Sequence, residues 1–161
     1  MTPVSKRLAV VVLVGAACLA WNARTDDDVV VAQTRKPIMA TRIYTGADGL
    51  SHAQEIELNL AANGAGGVSE MIKATGVQFR RTAPGTFSDW HVGPRRQFVI
   101  TLSGRGEIEV AGGRKVVLEP GHIELIEDTT GKGHTTRAVG TEDRISIAIP
   151  LADQTLGGAL R

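Results

Sequence analysis

The chain has a single cysteine, Cys18, so no disulfide can form within it and its stability must come from packing. Aromatic residues make up only 4%, which leaves Tyr44, Trp90 and three phenylalanines to the segment beyond residue 38. Charge of one sign is missing too: 18 basic residues stand against 17 acidic ones, for a formal net charge of +1. The basic residues are scattered apart from the Arg80-Arg81 and Arg95-Arg96 pairs, so there is no broad cationic face for a phosphate backbone, and nucleic acid is excluded as an expected partner. Long hydrophobic runs are absent as well. The one strongly apolar stretch, 8–20, falls short of the roughly 20 residues that a membrane-crossing helix needs.

That stretch follows Lys6-Arg7 and ends in small residues, the layout of an export signal over 1–20. The mature form is expected to have no membrane span and to be periplasmic or extracellular. Cleavage after Ala17 and after Ala20 both fit the small-residue rule. Cys18 adds a third option, lipidation at a cysteine with Gly15 three places before it, which would anchor the domain to a membrane. Residues 21–37 carry Asp26-Asp27-Asp28 and read as a polar linker.

After Pro37 the composition changes to short apolar or alternating runs at 40–44, 55–61, 77–82, 97–102, 107–110, 115–118, 123–127, 134–139 and 144–151. Turn chemistry separates them, including Pro84-Gly85, Gly112-Gly113, Pro120-Gly121 and Gly131-Lys-Gly133. No helix-length amphipathic pattern competes, apart from one or two helical turns expected over 67–75 behind Ser69. The expectation is an all-β sandwich or barrel over 38–151 with a C-terminal tail over 152–161. In 97–102, Gln97, Val99 and Thr101 share one face and Phe98, Ile100 and Leu102 the other. Both faces carry apolar groups, so a second layer should cover the outer one, either this chain's own or that of a homodimer partner.

The segment from Gly85 through His91 and Gln97 to Gly104 resembles the first motif of the cupin superfamily, G-x5-H-x-H-x3,4-E-x6-G. Gly93 stands where that motif has its second histidine, and Gln97 where it has glutamate. Gly131-Lys-Gly-His134 resembles the end of the second cupin motif, with Thr129 in place of its proline, Ala138 in place of its asparagine, and a stretch after Gly121 that is two residues longer. The resemblance implies a double-stranded β-helix, or jelly-roll barrel. It also implies a divalent transition metal (Fe, Mn, Zn or Ni) in the barrel mouth, held by His91, Gln97 and His134. Imidazole suits such ions, whereas the neutral Gln97 amide leaves their charge uncompensated. Glu127 and Asp128, just before His134, are the candidates for a fourth ligand or a general base.

Each of these residues also has a plain structural role open to it. His91 can cap a loop, His134 can simply open a strand, and Gln97 can be a hydrogen-bonded core amide. His52 and His122 read as surface histidines. Trp90 and Arg96 are candidates for contacting substrate. Arg80 and Arg81 alternate on one strand, so only one faces inward, and that one needs a partner such as a bound carboxylate. Two functions follow. The resemblance implies a metal-dependent enzyme on a small molecule, of dioxygenase, isomerase or lyase type. The alternative is an exported binding protein for a sugar or organic anion, or a degenerate barrel with a structural role only.

Overall fold

In the computed structural model, the described residues are 35–160 apart from 154 and 157. The export signal, Cys18 and most of the linker therefore lie outside the described residues. Twelve strands follow: β1 (Met39–Thr45), β2 (Ser51–Glu57), β3 (Ala61–Asn63), β4 (Gly66–Val68), β5 (Gln78–Thr82), β6 (Phe87–His91), β7 (Gln97–Ser103), β8 (Arg105–Glu109), β9 (Lys115–Leu118), β10 (Ile123–Glu127), β11 (His134–Val139) and β12 (Arg144–Pro150). A six-stranded sheet runs β2-β1-β10-β7-β12-β5, a four-stranded sheet runs β6-β11-β8-β9, and β3 pairs with β4. The fold is all-β. Among the described strands the two main sheets remain separate and do not close into one hydrogen-bonded barrel. No described helix is long and apolar enough to cross a membrane.

Strict alternation sorts the six-stranded sheet into two faces. Ile43, Ala53, Val99, Ile126 and Ala148 point inward and share a core with Ile108, Val116 and Leu118 from the other sheet. The two sheets therefore pack face to face. On the outer side, Ala40, Ile56, Phe98 and Leu125 form a second core with Leu151 and Leu156. The outer layer near Phe98 thus comes from the chain itself. Of the described residues beyond Pro150, the Ala159 carbonyl accepts from the Asn59 backbone amide and Leu160 bridges to Leu58. Farther along the same face, Leu102 and Phe79 remain exposed.

Three sequence expectations need correction. The helix expected over 67–75 does not form; β4 and extended chain occupy it, because Ala74 bridges to Leu151 and the Thr75 amide donates to Pro150. The strand expected at 55–61 begins earlier, at Ser51, since pairing with β1 runs in register from Ser51↔Thr45 to Glu57↔Met39. Strand β6 was not expected at all. It is an edge strand with little buried surface, so it carries no alternating apolar signature.

Candidate functional site

Between the sheets lies a cavity of about 200 Å³. Inward positions on six strands line it: Arg80 from β5, Gln97 and Val99 from β7, Ile108 from β8, Glu124 and Ile126 from β10, His134 and Thr136 from β11, and Arg144 and Ser146 from β12. β6 contributes both Ser88 and His91, whose odd spacing would normally send them to opposite faces. The β6–β11 pairing steps from Ser88↔Thr136 to His91↔His134, three residues against two. This bulge shifts the parity of β6 and turns His91 inward.

The register thus sets His91 directly across from His134, with ring centroids 4.6 Å apart at 57°. Glycine makes the approach possible. A Cβ on Gly133, at φ +74°, would stand 2.0 Å from the His91 carbonyl oxygen. Each imidazole has one nitrogen committed. His91 Nδ1 lies 2.7 Å from the Asp89 backbone oxygen, which can only accept, so that nitrogen carries the hydrogen. His134 Nδ1 lies 2.6 Å from Asp128 Oδ2, which also accepts from Ser51 Oγ at 2.6 Å. Assigned from these partners, both rings leave Nε2 as the nitrogen available to a ligand.

The two carboxylates singled out in the sequence part company, as the alternation of β10 requires. Glu124 and Ile126 face the cavity, so Asp128 continues inward and Glu127 points out beside Leu125. Asp128 is fully buried behind His134, and its Oδ1 has no hydrogen-bond partner among the described residues. Glu127 is gripped by Arg42 Nε at 2.6 Å and Arg96 Nε at 2.9 Å. Burial raises its pKa, but the hydrogen bonds and charges of Arg96 and Arg42 outweigh that and hold it below the usual range. Arg96 is thereby turned toward Glu127, and neither it, Glu127 nor Trp90 is among the residues lining the cavity. Lys132 Nζ sits 3.9 Å over the Trp90 ring.

Deeper in the cavity, Arg144 Nη2 donates to Glu124 Oε2 at 2.9 Å and to Thr101 Oγ1 at 2.8 Å. Burial pushes the Glu124 carboxyl up, against the pull of Arg144. This pair was missed in the sequence reading. The alternation of Arg144, Ser146 and Ala148 along β12 gives the face on which Arg144 lies but not its partner. Arg80 is the inward member of its pair; Arg81 faces outward, 3.4 Å from Asp143. Arg80 donates to two neutral amide oxygens, Gln78 Oε1 at 3.0 Å and Gln97 Oε1 at 3.3 Å. Its pKa is lowered by burial first, then by the nearby charges of Arg95 and Arg144, with Glu124 opposing. His122 differs from the surface residue expected: it is half-buried, its Nε2 has no partner among the described residues, and burial lowers its pKa.

The donor set does not fit a three-ligand ion. His91 and His134 supply two nitrogens. Gln97 Oε1 already accepts from Arg80, so an ion on that oxygen would stand beside a guanidinium. The position of the motif's second histidine is closed, because a Cβ on Gly93 would come within 2.5 Å of Ile126 Cγ2. Among the described residues, no three His, Cys, Asp or Glu side chains converge as an ion would require.

No protein-family model and no curated protein matches the sequence. Among solved structures the chain is similar to a cupin-like protein from Thermotoga maritima MSB8, at 20% identity over 73% of this chain and 81% of that one, with a TM-score of 0.42. It is similar to a Cupin 2 conserved barrel domain protein from Salinispora arenicola CNS-205, at 20% identity over 59% and 82%, TM-score 0.39. A cupin domain from Bordetella pertussis Tohama I aligns at 13% identity over 73% and 97%, TM-score 0.38.

Proposed function

We propose that this chain is an exported cupin-type domain, its two sheets forming the halves of a jelly roll, whose cavity binds a small organic anion without needing a metal ion. Export rests on the charged and apolar layout of residues 1–20. One observation carries the binding reading: Arg80 places a half-buried guanidinium in the cavity with only neutral amide partners among its hydrogen bonds. The other cavity cation, Arg144, is already matched by Glu124. A carboxylate on Arg80 would supply the missing counter-charge. The cavity of about 200 Å³ admits such an acid, and the Arg80 charge favours an acid over a neutral sugar.

A metal-dependent enzyme is the second reading, and the two available Nε2 atoms favour it. Calorimetric titration of chelator-treated protein separates the two. Pyruvate, 2-oxobutyrate and lactate are expected to bind and the matching neutral amides are not. Arg80→Gln should weaken the acids by about 10- to 100-fold, the loss of one charge-assisted contact. Equal binding of acids and amides, or affinity that returns only with Zn²⁺ or Mn²⁺, would overturn the anion reading.

A further inference from the structure

We infer that His134, oriented by Asp128, is a proton acceptor for the bound anion and that the chemistry it supports is enolisation of a 2-oxo carboxylate. This rests on the anion-binding reading. Asp128 is fully buried and cannot itself touch a ligand, so it is a positioning residue. Its Oδ2 accepts from both Ser51 Oγ and His134 Nδ1, which fixes the imidazole's orientation and its Nδ1–H form. That leaves the Nε2 lone pair for the cavity that His134 lines.

Enolisation balances with groups this chain supplies. With the carboxylate on Arg80, the C3–H bond of the 2-oxo acid breaks and its proton moves to Nε2. The bonding pair becomes the C2–C3 double bond, and the carbonyl π pair moves onto the oxo oxygen beside the carboxylate. That developing charge stays near the Arg80 guanidinium. Return of a proton from His134 to C3 restores the acid, and exchange of the imidazolium proton with water labels it.

The test follows ¹H NMR loss of the C3 protons of pyruvate and 2-oxobutyrate in D2O, with chelator present. Wild-type protein is expected to accelerate exchange at least about tenfold over buffer, and His134→Gln to abolish the acceleration. Asp128→Asn should remove most of that acceleration while leaving the calorimetric affinity unchanged. In ¹⁵N spectra the same variant should shift the His134 tautomer away from Nδ1–H. Should Asp128→Asn fail to fold, Ser51→Ala serves in its place and should slow exchange without loss of binding. Exchange no faster than buffer, exchange that vanishes on chelation, or variants at positions 128 and 51 that exchange like wild type would overturn the inference. Pyruvate that binds without exchanging sinks this inference alone; pyruvate that does not bind sinks the anion reading with it.

Discussion

Replacing Gly93 by histidine would restore the second histidine of the cupin motif, and the structure says what this costs. Gly93 is absent from the glycines with positive φ, so the backbone accepts a side chain and only space opposes one. The obstacle is Ile126, 4% exposed in the inner core, whose Cγ2 would stand 2.5 Å from the new Cβ. Carbon pairs settle at roughly 3.5–4.0 Å, so something must move by about 1 Å. Overpacking of that kind costs about 1–3 kcal/mol. Ile126→Ala alone leaves a cavity and costs about 2–5 kcal/mol. Combined, the imidazole enters the space the isoleucine vacates, and the double variant should be more stable than the sum of the singles by about 1–3 kcal/mol. Urea unfolding of the four proteins measures this coupling directly. Zinc should then stabilise the double variant, which has three imidazoles, and leave wild type unchanged. Single-variant costs that simply add to within about 0.5 kcal/mol would refute the reasoning.

Three further outcomes follow from the packing and charges. Glu127→Gln should destabilise by about 1 kcal/mol at neutral pH, a modest figure because both arginine partners are partly exposed. Since the native pKa of Glu127 is held below its ordinary value, that contribution is present above the unfolded value and disappears as pH falls through the lowered native one, so urea midpoints of variant and wild type should converge in acid. Arg144→Ala leaves the buried Glu124 uncompensated and should cost about 3–5 kcal/mol, whereas replacing both with apolar residues should cost much less; thermal unfolding separates the two. Leu156→Ala, on the outer face of the six-stranded sheet, should cost about 2–4 kcal/mol in the same assay, and a negligible loss would show that the segment after Pro150 contributes little.

Much of this was written in the alternation of the strands. The inward set on β7, Gln97, Val99 and Thr101, and the turn glycines around His134 were legible as they stand. The same rule applied to β10 separates Glu127 from Asp128, because Leu125 and Ile126 fix which face is which. What the sequence hid was non-local. The bulge that aims His91 depends on a partner strand more than 40 positions away, and an edge strand such as β6 buries too little to show a pattern. The pairing of Arg144 with Glu124 and Thr101 likewise exists only once β12, β7 and β10 lie side by side. The closing of the Gly93 position by Ile126 is a contact between loop and sheet that no spacing rule contains.

The most direct test of the anion-binding account is a crystal structure of chelator-treated protein grown with 2-oxobutyrate. The account predicts the acid between the two sheets, its carboxylate within about 3.2 Å of the Arg80 guanidinium and its carbon chain facing His134. An anomalous-scattering peak for a metal ion bridging His91, Gln97 and His134, with the carboxylate turned away from Arg80, would contradict it.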